Sequence, residues 1–248
     1  MSDYNRGYAR TIPADRADMS VDAGLRAFML GVYNKVGLGL VLSAALAYLT
    51  GGPLASVMFR LTADGRLAGY TPVGYAVVFA PIVLLLLAGF ALRNPTPKSS
   101  GVLYWTIVSL IGASLGVVVL AYTGASIAST FLITAASFGA LSLVGYTTKK
   151  DLTGFGSFLI MGVFGLLIAS VVNMFLHNSG MAFIINALGV LIFAGLIAYD
   201  TQRLKMTYYQ LGGDQAAMGV ATNYGALSLY INFINLFQFL LALFGNRR

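Results

Sequence analysis

Residues 220–244 read VATNYGALSLYINFINLFQFLLALF and contain the most informative pattern in the chain. The run exceeds the roughly 20 apolar residues that a membrane-spanning helix needs. It nevertheless carries a series of polar side chains: Asn223, Ser228, Asn232, Asn235 and Gln238. Ser228, Asn232 and Asn235 recur at helical spacing and therefore share one helix face. Because amides are costly in lipid, we expect other helices to surround this one, with its polar face either bonding between helices or lining a wet path.

The rest of the chain is equally apolar. It is 58% hydrophobic and only 9% charged, with a mean hydropathy of +0.82, whereas an ordinary soluble domain has about 25% charged residues. Six further apolar runs precede the one quoted, at 28–50, 72–92, 102–122, 126–146, 155–176 and 181–199. Continuous runs indicate helices, because the strands of a membrane β-barrel alternate. The sequence predicts an all-α integral membrane protein, a bundle of seven transmembrane helices formed by residues 27–248.

The links between these runs are short and leave no room for a soluble domain. The two longest are predicted at 51–71 and 201–219. Gly112 and Gly116 form a GxxxG pair in the third run, which is typical of helices that pack closely in a membrane.

Composition excludes several classes of protein. A soluble enzyme and a disordered chain are inconsistent with this hydropathy. The net charge of +7 is typical of basic cytoplasmic loops, so nucleic acid is not an expected partner. The chain has no cysteine and one histidine, His177, which excludes disulfides and multi-histidine zinc centres. We expect no cofactor and no enzymatic activity, and the lipid bilayer as the principal partner.

The first 26 residues are polar and lack the early apolar stretch of a secretory signal. They predict a mostly disordered cytoplasmic tail, residues 1–26. With the N-terminus inside, Arg60, Arg66, Arg247 and Arg248 fall outside and the remaining Lys and Arg of the fifteen fall inside, in agreement with the positive-inside rule. If the seventh run crosses the bilayer fully, the C-terminus is outside; if it only dips in, the C-terminus returns inside.

All eight acidic residues are aspartates, and Asp200 is the one that can lie within the bilayer, at the end of the sixth run. A carboxylate in that place can be a solvated end of a helix, a salt-bridge partner, or a proton or cation site. Arg203, three residues on, is spaced to pair with it. Arg93, at the end of the second run on the same membrane side, is a second candidate partner.

Four segments resemble the Bax inhibitor (transmembrane Bax inhibitor motif) family. They are TAASF at 134–138, GYTTKKDL at 145–152, YDTQ at 199–202 and ALSLYINFINLF at 226–237. The resemblance covers nearly all of the chain after the tail, and the last two segments, in this order and separation, are the most specific. The bacterial YccA-like branch fits best, which implies a location in the bacterial plasma (inner) membrane.

The resemblance implies a seven-helix bundle with the last helix at its centre, and a pH-sensitive calcium leak. In that family two aspartates, at the end of the sixth span and in the last span, share a proton near the cytoplasmic side. Two carboxylates in contact cannot easily both ionise, so their protonation sets the open or closed state. An arginine of the second span competes as a partner. Carried over, the first aspartate is Asp200, the arginine is Arg93, and the second aspartate falls on Asn232, which cannot ionise.

The first hypothesis is therefore a calcium or cation leak. Asp200 is its gate, Asn232 the partner of the gate and Arg93 the competitor, while Ser228 and Asn235 complete the polar face. Calcium prefers several oxygen ligands, and here it would meet one carboxylate, so Asp200 is the candidate ligand on a calcium path. The departure at Asn232 predicts a pH response that is weaker or shifted to lower pH.

Two other hypotheses remain open. Some bacterial relatives are linked to modulation of a membrane-bound ATP-dependent protease, which suggests a regulatory or binding protein with the N-terminal tail as a docking segment. A proton-coupled exchanger is the third, although a single intramembrane acid supports it thinly.

Overall fold

The computed structural model describes residues 23–63, 67–91 and 94–248. The elements are α1 Ala23–Gly51, α2 Ala55–Met58, β1 Phe59–Leu61, β2 Leu67–Tyr70, α3 Pro72–Ala91, α4 Pro97–Ser114, α5 Gly116–Ala121, α6 Gly124–Thr147, α7 Thr153–Leu176, α8 Ser179–Gln210 and α9 Gln215–Phe244. Among the described residues, seven helical segments are long and apolar enough to cross a membrane, with α4 and α5 counting as one. The predicted all-α membrane bundle of seven helices is confirmed. The tail predicted for residues 1–26 lies largely outside the described residues, and α1 begins at Ala23.

Helix α9 is the centre of the bundle. It packs against α1 and α4 on one side and against α6 and α8 on the other. In the most apolar 18-residue stretch of α9, 56% of the residues are buried. The corresponding fraction is 11% in α3 and in α7. Leu229, Tyr230, Phe233, Leu236 and Leu241 are each at most 2% exposed, so the surrounding helices bury much of the apolar surface of α9. The expectation that the last helix is central is confirmed.

The other helices form two groups, one on each side of α9. In the first group α4 packs against both α1 and α3, and in the second α8 packs against both α6 and α7. Gly112 and Gly116 hold α4 and α5 against α1, since a Cβ on Gly112 would lie 2.6 Å from Ser43 Cα and one on Gly116 would lie 2.8 Å from Gly51 N. Close packing is therefore the structural role of the GxxxG pair.

Polar side chains cap several helix ends. Thr96 and Ser99 form a reciprocal capping box at the start of α4. Asn178 accepts from Met181 N at the start of α8, and Asp214 accepts from the backbone at the start of α9. Each cap satisfies backbone N–H groups that a first helical turn leaves without partners.

Both of the long links predicted from sequence are in part regular structure. The prediction of a loop over 201–219 is wrong, because α8 continues to Gln210 and only residues 211–214 connect it to α9. Gln202, Leu204 and Lys205 favour helix, and the chain turns only where Gly212 and Gly213 adopt positive φ. The link at 51–71 contains α2 and the antiparallel pair of β1 and β2.

The C-terminal segment, residues 245–248, fixes the direction of α9. Arg247 forms a β-bridge with Tyr122, and Arg248 N donates to Ala121 O at 3.0 Å. The end of α1 lies at this same end of the bundle, because Thr50 Oγ1 donates to Ala113 O at 2.8 Å. Helix α9 therefore runs the full length of the bundle, and the C-terminal segment lies at the opposite end from the start of α1.

Candidate functional site

The candidate site is centred on Asp200, which lies within α8 rather than at its end. The residue is 5% exposed. Helix α6 approaches α8 closely just before it, since a Cβ on Gly145 would lie 2.8 Å from both Cα and the carbonyl carbon of Ala198. Only glycine permits this approach, which closes the α6 side of the site.

Three side chains donate to the Asp200 carboxylate. On α9, Ser228 Oγ and Asn232 Nδ2 both donate to Oδ2, the second at 2.8 Å. On α8 itself, Arg203 Nη2 lies 3.3 Å from Oδ1. Ser228 and Asn232 are one helical turn apart and so present their donors to the same point. A buried carboxylate is costly without such partners, and these three contact both of its oxygens.

The site lies close to the water-exposed end of the bundle. The side chain of Arg203 is 49% exposed, whereas that of Asp200 is 7% exposed. The guanidinium also lies 5.7 Å from the ring centroid of Tyr199. Arg203 therefore bridges between the buried carboxylate and the exterior. The i, i+3 pair that the sequence spacing allows does form.

Two residues that the sequence analysis did not single out connect α8 to its neighbours: Gln202 bonds the loop at residues 148–152, and Lys205 bonds the end of α6. Gln202 accepts from Leu152 N at 2.8 Å and donates to Lys150 O at 2.8 Å. Lys205, 2% exposed, donates from Nζ to Tyr146 O at 2.9 Å. The YDTQ and GYTTKKDL segments therefore contact each other. No spacing rule reveals this, because spacing along one helix shows which residues share a face and not which neighbouring segment that face meets.

The same loop carries the exposed Asp151. Its carboxylate accepts from Thr153 N at 2.8 Å. Hydrogen bonds from the side chain and then the backbone of Thr153 hold the pKa of Asp151 below its ordinary value. This carboxylate is a local turn and helix-start feature, separate from the buried site.

A second polar cluster lies on the opposite side of α9. Lys35 Nζ, in the first predicted span, donates to Asn223 Oδ1 rather than extending freely to water. Asn223 Nδ2 in turn donates to Pro97 O and to Ser100 Oγ, both at 2.9 Å. Tyr104 OH donates to Lys35 O at 2.6 Å. Helix α9 thus meets a cation from the α1–α4 side and an anion from the α6–α8 side.

The remaining predicted residues lie elsewhere. Asn235 does not reach Asp200: its Nδ2 donates to Ile231 O at 2.8 Å. Together with Gln238 and Asn186 it lines a separate cavity of about 260 Å³. Arg93 lies outside the described residues. His177 caps α7 with φ of 50° in a loop.

Asp200 is the single carboxylate of this site. Within the described residues no three His, Cys, Asp or Glu side chains come close enough to hold a metal ion together. A cation passing here would meet one carboxylate together with hydroxyl, amide and backbone oxygens. Since Ca²⁺ takes 6–8 oxygen ligands, such a point suits brief passage better than tight retention.

Comparison with known proteins places this chain in a family. The family model described as inhibitor of apoptosis-promoting Bax1 matches residues 25–248. The chain is 70% identical over 249 residues to an uncharacterized protein of Caulobacter vibrioides, across all of both chains. It is 40% identical to uncharacterized protein RP147 of Rickettsia prowazekii over 97% of this chain and 98% of that one. It is 38% identical to the inner membrane protein YbhL of Escherichia coli over 91% of this chain and 94% of YbhL. The chain therefore belongs to the Bax inhibitor family of membrane proteins.

Proposed function

We propose that the protein is a passive cation leak of the inner membrane, with calcium as its principal ion, and that Asp200 is its gate. The observation that carries this is the buried Asp200 carboxylate, which is bonded to the central helix through Ser228 and Asn232. An intramembrane carboxylate marks ion and proton pathways. Its partners here lie on α9, which packs extensively against both groups of the bundle.

The geometry corresponds to a closed state. Both carboxylate oxygens already accept from Ser228, Asn232 or Arg203. A cation reaches Asp200 only when these donors withdraw, so opening requires α9 to move relative to α8. Beyond the site, Phe233 and Leu236 are buried and separate it from the polar cavity at Asn235. Movement of α9 would expose its polar side chains as a path between the two ends.

The proposed orientation places this gate on the cytoplasmic side. The loop with Lys149 and Lys150 lies beside the gate, because Gln202 bonds that loop. Lysine and arginine concentrate in cytoplasmic loops, so this end is inside. The C-terminal segment, at the opposite end from the start of α1, is then outside. YbhL, the Escherichia coli relative, is an inner membrane protein, which supports the same compartment.

Calcium flux into liposomes tests the gate. Asp200→Asn keeps the shape of the side chain and removes its charge, so we expect calcium flux at neutral pH to change at least about tenfold, equivalent to 1.4 kcal/mol at the barrier. Asp151→Asn is the matched control, because it removes an exposed loop carboxylate. Equal flux through the wild type and Asp200→Asn would refute the proposal, as would an equal effect of Asp151→Asn.

The amide at position 232 provides a second test. Its Nδ2 lies 2.8 Å from Asp200 Oδ2, so Asn232→Asp would bring two carboxylates into contact. Such a pair cannot easily stay fully ionised and titrates as a unit. We expect flux through Asn232→Asp to depend on pH more strongly than flux through the wild type or Asn232→Leu. Identical pH profiles for the wild type and Asn232→Asp would contradict the role of Asn232 as partner of the gate.

A further inference from the structure

An apolar cavity lies between α1, α5, α6 and α9, away from Asp200. Its volume is about 370 Å³. The walls include Leu40, Ala44, Val119, Ile127, Phe131 and Phe237. Tyr48, which is 68% exposed, is also part of the lining, so the cavity opens at the outer surface of the bundle where lipid would surround it.

The interior of this cavity does not require a polar ligand. Ser43 is the hydroxyl that faces it most deeply, and that hydroxyl is already bonded to Tyr230 OH at 2.6 Å and to Gly39 O at 2.9 Å. Apolar cavities without free polar partners stay dry and accept apolar ligands. A cavity of about 150 Å³ holds benzene, so this one has room on the same scale for an alkyl chain of about 15 carbons.

Arginine side chains of the C-terminal segment lie at the rim of the cavity. Of the residues that line it, Arg248 is the one charged residue. The C-terminal segment is held there: Arg248 N donates to Ala121 O at 3.0 Å, Thr123 N donates to Asn246 O at 3.1 Å, and Asn246 N donates to Ser126 Oγ at 3.0 Å. These bonds hold the backbone of the C-terminal segment so that Arg248 lies against the apolar cavity. A second guanidinium, that of Arg247, follows along Tyr122 at 5.8 Å from its ring centroid.

We propose that this cavity is a binding site for an anionic phospholipid of the bilayer. One acyl chain fills the cavity, and the phosphate binds Arg248, with Arg247 adding to the local positive charge. Guanidinium groups suit phosphate because they donate in a planar fork. The apolar slot selects an alkyl chain, the arginine rim selects a negative headgroup, and the opening toward lipid selects a ligand supplied by the membrane.

Native mass spectrometry of the detergent-purified protein tests the site, with phosphatidylglycerol and phosphatidylcholine as probes. We expect one phosphatidylglycerol per chain, bound about tenfold or more tightly than phosphatidylcholine, since each arginine near anionic headgroups contributes about 1 kcal/mol. Arg247→Gln with Arg248→Gln should abolish that preference. Ala44→Trp should block the slot, whereas Ala45→Trp, one position along α1 and outside the lining, should leave binding unchanged.

Photocrosslinking keeps the test decisive if Ala44→Trp fails to fold. Phosphatidylglycerol with a photoactivatable group in its acyl chain, added to the unmodified protein in nanodiscs, should label peptides from the walls around Val118, Ile127 and Phe131. Labelling spread evenly over the lipid-facing helices would overturn the proposal. So would equal binding of the two lipids, binding that Ala44→Trp and Ala45→Trp reduce alike, or retention of a free fatty acid in place of the phospholipid.

Discussion

The contact between Gly145 and Ala198 leads to a quantitative prediction. In Gly145→Ala the new Cβ would lie 2.8 Å from Cα and the carbonyl carbon of Ala198. Carbon atoms pack at about 3.5–4.0 Å, so α6 and α8 must separate by about 1 Å. The bond from Lys205 Nζ to Tyr146 O, now 2.9 Å, and one of the two bonds of Gln202 to the loop, now 2.8 Å, would then exceed hydrogen-bond length.

The loss of stability in Gly145→Ala follows from the energies of these hydrogen bonds. A hydrogen bond to a charged group contributes about 1.5–3 kcal/mol and a neutral one about 0.5–1.5 kcal/mol. Losing the Lys205 bond and one Gln202 bond should therefore destabilise Gly145→Ala by about 2–4 kcal/mol. For a chain of this size that lowers the Tm by roughly 5–15 °C.

Thermal unfolding in detergent, followed by circular dichroism, measures the effect. Gly139→Ala is the matched control: it lies on the same helix, and nothing lies within 4 Å of its added Cβ. Because alanine favours helix over glycine by up to about 1 kcal/mol, we expect the control to be as stable as the wild type or slightly more so. If Gly145→Ala melts within about 2 °C of Gly139→Ala, the proposed fastening of α6 to α8 is wrong.

Three further predictions concern other parts of the chain. Asn223→Leu should lower the free energy of unfolding by about 1–3 kcal/mol because it removes the acceptor of Lys35. Adding Lys35→Met to that variant should recover stability in the thermal assay. Failure to recover stability would contradict the pairing of Lys35 with Asn223. Deletion of residues 2–22 should leave calcium flux in liposomes unchanged, and a loss of flux would instead favour a regulatory role for the tail. Thr153→Val should raise the pKa of Asp151 toward its ordinary value, measured by NMR titration, since one of the hydrogen bonds that lower it is lost; because the pKa is lowered in the folded protein, the stabilisation is present at neutral pH and disappears as pH falls through it.

Much of the fold could be predicted because hydropathy is a property of continuous runs. Each of the seven spans coincides with an apolar run, and the polar residues of α9 predicted its central position. The extension of α8 was missed because hydropathy shows which residues suit lipid and does not show whether a polar segment is helical. Residues 201–210 are polar yet helical, and helix propensity was the relevant signal. The strands β1 and β2 are three and four residues long, too short to show a pattern.

The site was only partly predictable for a related reason. Counting acids isolates Asp200, and helical spacing places Ser228 and Asn232 on one face. Asn235 shares that spacing, yet it bonds within its own helix. The contacts of Gln202 and Lys205 depend on where α6 ends relative to α8. Gly145 sets the close approach of α6 to α8, and the spacing of residues within one helix does not predict it.

The position of α9 has a consequence for assembly. The helices that surround α9 precede it in the chain, and they form two groups, α1 with α3–α5 and α6 with α7 and α8, that both pack against it. Until α9 is inserted, Lys35 in one group lacks Asn223, and Asp200 in the other lacks Ser228 and Asn232. Helix α9 supplies hydrogen-bond partners to both of these side chains. The last helix is therefore the element that supplies uncharged hydrogen-bond partners to a charged side chain in each group.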